Sequence, residues 1–176
     1  MAKVYATSGY IPVLSEVIQM IPNKELVATA YLRQDGRMKL AELRRKTGVP
    51  VSTLYDWVKK RKCLGISRFT ALLDFPSIGF ATQATILLKA GKNGRKRLQE
   101  FLLHSASVNS LMRVNNGYDY LAECVFKDLC CLEEFCEQLE FEYSVKTKEI
   151  HLTVDELKRE GFLADPLAIA RRAKNE

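Results

Sequence analysis

Residues 37–68, RMKLAELRRKTGVPVSTLYDWVKKRKCLGISR, decide how this chain is read. They hold ten Lys or Arg against two acids, Glu42 and Asp56, a surplus of +8 where the whole chain carries +6. Leu40 and Leu43 place a helix over Lys39–Lys46, with Arg44 and Arg45 outward. Gly48-Val49-Pro50 breaks the helical run, and Val49 plugs the turn. A further helix is expected from Val51 or Ser52 to Arg61, because Leu54, Trp57 and Val58 stand at i, i+3 and i+4 and form one buried stripe. Trp57 therefore reads as core. Ser52, Thr53, Asp56, Lys59 and Lys60 are left on other faces. Short hydroxyls at a helix N-terminus, followed by cations, suit a helix entering a major groove: the hydroxyls reach base edges and the lysines neutralise phosphates. Asp56 either accepts from cytosine N4 or pairs with a neighbouring lysine. Helix, turn and helix with this charge point to a helix-turn-helix facing nucleic acid. The competing reading is a solvated basic face with no polyanion partner.

Working outward, Asn23 is a good N-cap for a first helix over Lys24–Gln34, whose apolar face is Leu26, Val27, Ala30 and Tyr31. Asp35-Gly36 should stop it, through a positive φ at the glycine. Upstream, residues 1–22 form an N-terminal extension with a short amphipathic helix between Pro12 and Pro22. Downstream, Gly65–Asp74 is rich in strand formers and is expected to make a wing and a connecting strand. These pieces define a DNA-binding domain over residues 23–74, and Phe75–Phe80 has the composition of a linker.

From Ala81 the pattern changes. Ala84–Ala90 reads as a buried strand. Asn93-Gly94 opens a helix to about His104, and Val108–Asn115 is a strand. Asn116-Gly117 makes a turn into a strand over Asp119–Phe126. Asp128 caps a helix over Leu129–Phe141, and Lys146–Val154 closes with a strand. The order β-α-β-β-α-β is the split βαβ, or ferredoxin-like, pattern, assigned here to residues 81–160. Two helices would cover one face of a four-stranded sheet, and a second copy of the chain most simply covers the other. A tail, 161–176, contains Asp165-Pro166, a cap followed by proline at the first position of a short helix. The fold class is thus α+β.

Charge separates the two halves: residues 1–80 carry +7 and residues 81–176 carry −1, so the basic excess belongs to the half that holds the candidate reader. Nothing approaches the roughly 20 apolar residues of a membrane span, and no targeting segment is legible. The five cysteines form no paired metal-ligand spacing, which fits reduced thiols in a cytoplasm. No metal site, cofactor or catalytic group is expected. Cysteines 130, 131 and 136 diverge around their helix and do not converge on one ion.

The order of these pieces resembles the Lrp/AsnC family, the leucine-responsive or feast/famine transcriptional regulators. The resemblance covers about residues 24–160. It is carried by Leu32–Arg37, by Leu40-Ala41-Glu42-Leu43 with Gly48-Val49, and by Phe69–Asp74 with Gly79-Phe80. Gly117-Tyr118-Asp119-Tyr120-Leu121, the Asp128 helix and the closing strand at Thr147 complete it. The chain departs from the family pattern at Trp57 and at Arg61, and 58–66 is one residue short. The resemblance implies a winged helix-turn-helix joined to a RAM/AsnC-type domain. It also implies homodimers through the sheets, octamers in many members, DNA sites with two-fold symmetry, and an amino-acid effector at the loop Asn115–Asp119. DNA-binding candidates are Arg37, Lys39, Ser52, Thr53, Asp56, Lys59, Lys60, Arg61 and Arg68. Effector candidates are Asn115, Asn116, Gly117, Tyr118 and Asp119. Asp119 either takes an α-ammonium group or caps the hairpin turn.

Two alternatives stand beside a sequence-specific regulator on double-stranded DNA. One is an architectural DNA-binding protein with little sequence preference. The other is a siroheme-decarboxylase-like enzyme on the same architecture. Only His104 and His151 could serve such chemistry, without a paired nucleophile or metal spacing, so the chain reads as no enzyme.

Overall fold

The computed structural model describes residues 23–91, 94–143 and 145–172. The amphipathic helix expected within 1–22 lies outside them. The chain forms two compact units, one comprising the residues up to Ala71 together with those from Lys158 onward, the other Leu72–Leu157.

The first unit contains α1 (Asn23–Gln34), α2 (Leu40–Thr47) and α3 (Val51–Lys60), followed by a 3-10 turn at Lys62–Leu64. Ala28, Leu32, Leu43, Val49, Leu54 and Leu64 form its core, with Trp57 and Val58 packed against it. Gly48 ends α2 at φ 70°, its N–H donating to Arg44 O at 2.8 Å. Thr29 is buried; its hydroxyl lies 2.9 Å from both Glu25 O and Leu64 O, tying α1 to the turn after α3. Two local expectations are corrected. Asn23 already lies within the helix rather than capping it. Gly36 does not supply a positive φ. Asp35 ends α1 instead: its carbonyl accepts the Met38 N–H and its Oδ1 the Arg37 N–H, an Asx turn.

The wing is also corrected. No strand forms between Gly65 and Asp74. Strand composition there meets no partner segment: the 3-10 turn precedes it and another, Pro76–Ile78, follows it. A strand is stabilised by its cross-strand neighbours, so an unpaired run of β-formers stays outside any ladder. Phe69, Leu72 and Leu73 are accordingly exposed.

The tail belongs to the first unit. A last helix, α6 (Pro166–Arg172), sets Ile169 against Leu26 and Ala30 of α1. Arg33 pairs with Glu160 at 2.6 Å, and Gln34 Nε2 donates to Ala164 O. Asp165 Oδ1 accepts the N–H groups of Leu167 and Ala168 at 2.9 and 3.1 Å, the N-cap that the sequence indicates. Asp165→Ala should weaken this short helix by about 1 kcal/mol. Amide exchange across 167–172 should then speed up by roughly fivefold, with the rest of the unit unchanged.

The second unit holds β1 (Thr82–Ala90), α4 (Arg95–His104), β2 (Val108–Arg113), β3 (Tyr120–Phe126), α5 (Leu129–Tyr143) and β4 (Val145–Leu152). This is the expected β-α-β-β-α-β order. The sheet runs β2-β3-β1-β4, every neighbouring pair antiparallel. Alternation explains its two faces. Ala84, Ile86, Leu88 and Ala90 of β1 pack with Tyr120, Ala122, Cys124 and Phe126 of β3 under Leu98, Leu102, Leu132, Phe135 and Leu139 of the helices. On the opposite face Leu121 stands across from Leu87 on one side and Met112 on the other, an apolar strip across three strands. Asp128 caps α5 by accepting the Cys131 N–H, and this hydrogen bond holds its carboxyl below the usual range.

Candidate nucleic-acid interface

Helix α3 carries the candidate reading face. Leu54 is buried, and Trp57 and Val58 are half-buried against the core, so the stripe holds as expected. At 100° per residue the opposite side presents Ser52, Tyr55, Asp56, Lys59 and Lys60, all exposed, with Thr53 half-buried beside them. Pro50 occupies the N-cap position and no side chain caps the first turn, which also lacks an acid. Its backbone N–H groups are thus available to an anion, beside the hydroxyls of Ser52 and Thr53.

Tyr55 is the residue that sequence reasoning passed over. It is 55% exposed, and the Lys59 ammonium sits over its ring at 5.9 Å. The signal was present: Tyr55 falls off the 54/57/58 stripe, so a large aromatic had to stand on the polar face. Asp56 makes no ion pair with a neighbouring lysine among the described residues.

The remaining candidates divide. Arg37 and Lys39 are exposed on the segment entering α2, Lys39 at its N-cap position. Arg68 is exposed on the segment that follows α3. Arg61 is exposed as well, and it has a second, structural role. It ends α3 at φ 53°, a left-handed conformation that non-glycine residues seldom adopt. Its N–H donates to Trp57 O at 2.7 Å, its carbonyl accepts from Leu64 and Ile66, and its guanidinium donates to Ser67 O at 3.2 Å. Arg61 thus organises the turn after α3, the place where the family pattern fits worst.

In the second unit the effector candidates form a tight connection between β2 and β3. Asn116 and Gly117 take φ of 59° and 96°, the doubly left-handed turn that Asn-Gly favours. Asn115, Asn116 and Gly117 are exposed. The Tyr118 hydroxyl donates to Glu149 of β4, and that carboxylate raises the phenol above its ordinary pKa. Asp119 is inward and engaged: one oxygen accepts the Ala90 N–H at 3.0 Å and the other pairs with Arg95 at 2.9 Å. It joins the ends of β1 and β3 to the start of α4.

The histidines are at the surface, His104 with Nδ1 2.7 Å from Glu100 O and His151 3.5 Å from Glu149. Among the described residues no group of three or more His, Cys, Asp or Glu could hold a metal ion, and no helix is long and apolar enough to cross a membrane. Burial pushes the Cys124 thiol up to about 12, with Cys136 and Glu123 adding to it. Burial also raises Cys136, and a hydrogen bond to Asp128 raises Cys131. Cys130 is exposed. An alkylating reagent at pH 8 should modify Cys130 rapidly and leave Cys124 and Cys136 intact until denaturant is added; peptide mass mapping reads the order.

A basic three-helix unit with an open recognition helix, joined to a four-stranded ferredoxin-like unit, defines a helix-turn-helix DNA-binding regulator. No family model matches the chain. An uncharacterised HTH-type transcriptional regulator of Pyrococcus furiosus is 33% identical over 106 residues, 60% of this chain and 72% of that one. Among solved structures, the transcriptional regulator NMB0573 of Neisseria meningitidis, in complex with L-Met, superposes with TM-score 0.72 at 20% identity, over 79% of this chain and 93% of that one. An AsnC family regulator from Agrobacterium tumefaciens gives 0.69 at 17%, over 79% and 94%. The chain belongs to the HTH-type transcriptional regulators, and its fold is that of the AsnC family regulator of known structure.

Proposed function

We propose that the chain is a homodimeric, sequence-specific reader of two-fold symmetric DNA whose second unit answers to an amino acid. The carrying observation is α3: one side is buried through Leu54, and the other presents Ser52 in an uncapped first turn, then Tyr55, then Lys59 and Lys60 in the last turn. The apolar strip Met112–Leu121–Leu87 supports pairing through the sheets, since a two-fold axis brings such a strip onto itself. Higher assembly to octamers follows the family pattern. For the effector, the exposed turn Asn115–Gly117 allows close backbone approach, and the Neisseria relative was solved with L-Met. The chain acts by binding, not catalysis, and its unpaired cysteines suit a cytoplasm.

The second reading, an architectural protein, is supported by the same basic surface, which would grip any duplex. Selection of bound DNA from a random pool, with and without mixed amino acids, separates the two. The expected product is a palindromic site with half-sites about 10 base pairs apart. A pool that gains no sequence preference at fixed salt would establish the architectural role instead.

A further inference from the structure

One flank of α3 is apolar although it faces away from the core. Val51, Tyr55 and Lys59 follow one another at intervals of four residues, so they form a single ridge that turns by only about 40° per step. The row one residue back, Leu54 and Val58, packs into the core. The row one residue on, Ser52, Asp56 and Lys60, is polar and exposed. Between them Val51 is 38% exposed and Tyr55 55%. The Lys59 ammonium lies over the Tyr55 ring at 5.9 Å, a cation at the far end of an apolar ridge.

This arrangement selects among partners. A protein contact needs on the order of 1,000 Å², and the polar row beside the ridge interrupts it after two side chains. A phosphate would satisfy the Tyr55 hydroxyl and the Lys59 ammonium, but it would leave Val51 and the ring in water, which is unfavourable. The edges of the bases in a major groove are donors and acceptors with one apolar exception, the C5-methyl of thymine. The N-terminal part of a recognition helix is the part that reaches those edges. Val51 opens α3 and Tyr55 follows one turn later, whereas Lys59 is in the last turn. From Val51 to Lys59 the helix rises about 12 Å, comparable to the roughly 12 Å width of the groove. The apolar end can therefore rest on bases while the cation reaches a phosphate at the wall.

We propose that Tyr55, flanked by Val51, is a specificity-determining residue that packs on a thymine C5-methyl group, so that each half-site of the preferred DNA carries a thymine where the ridge crosses it. This rests on the sequence-specific reading above and adds to it the base that the ridge selects.

The test takes the full-length protein and the site enriched from a random pool. Each thymine of a half-site is replaced in turn by deoxyuridine, which removes the methyl and keeps every hydrogen-bonding group. At one position the wild type should lose about fourfold in affinity, the worth of one methyl left in water. Tyr55→Ala should bind the thymine and uracil sites equally. Tyr55→Phe should keep the fourfold difference, because the ring and not the hydroxyl makes the contact. Both substitutions leave Leu54, Trp57 and Val58 in place. Three results overturn the contact: equal binding of thymine and uracil sites by the wild type at every position, a difference that survives in Tyr55→Ala, or a loss in Tyr55→Phe as large as that in Tyr55→Ala on both sites. The last would make Tyr55 a hydroxyl for a phosphate. If no sequence is enriched, the sequence-specific reading fails and the thymine contact with it; an enriched site without this coupling removes the thymine contact alone.

Discussion

Replacing Lys59 and Lys60 together by alanine is expected to lower the salt slope of DNA binding by about two units, one for each phosphate no longer neutralised. Affinity at fixed salt should fall by roughly 10- to 100-fold per lysine, the equivalent of the ~1.5–3 kcal/mol of a charge-assisted hydrogen bond. The loss should be the same on the selected site and on unrelated duplex, because phosphates carry no sequence information. Both lysines are exposed in the last turn of α3, and neither contributes to its core. Their charges do favour the helix C-terminus by about 0.3–1 kcal/mol each, so a circular dichroism melt must accompany the binding data. Ser52→Ala should behave differently, changing which sequence is preferred at nearly constant slope. An unchanged slope in the double lysine variant would remove these residues from the interface and leave the first turn and Tyr55 to explain binding.

That reading face was legible because it depends on one helix. The 54/57/58 stripe sets the phase of α3, and every neighbouring side chain follows from 100° steps. The same holds for the second unit, where the apolar run 84–90 and the segment after the Asn116-Gly117 turn read as strands and the 132/135/136/139 pattern gives the covering helix. Legibility ended where a residue's role depends on distant partners. Gly65–Asp74 has the composition of strands, yet a ladder needs a second segment, and nothing local says whether one exists. The tail was readable as a capped helix, but its docking through Ile169 on Leu26 and Ala30 joins positions far apart in the chain. Arg61 looked like one more cation. Its left-handed backbone and its bond to Ser67 O arise from the short connection after α3, which the sequence marks only as a departure from the family pattern.

Asp119 is the sharpest case of this kind, and its substitution should have the largest effect on stability. From sequence it could either take an α-ammonium or cap a turn. Its carboxylate is only 13% exposed, and both oxygens are in use, on the Ala90 N–H and on Arg95. Ala90 is itself 4% exposed, so alanine at 119 would strand a buried donor, while the half-exposed Arg95 would turn to water. A buried group left without its partner costs about 1–3 kcal/mol. The ion pair, with its half-exposed arginine, adds little, so Asp119→Ala should destabilise the second unit by about 1–3 kcal/mol and lower its melting temperature by roughly 5–15 °C. Asp119→Asn keeps an acceptor for Ala90 and should recover about half of that loss. DNA binding by the first unit should be retained in both variants below the melting range. The ligand role predicts another pattern: unchanged melting in Asp119→Ala, with the amino-acid response abolished. Calorimetric melts of wild type and both variants, each with and without L-methionine, distinguish the two, because a carboxylate that bridges β1, β3 and α4 must show its effect before any ligand is added.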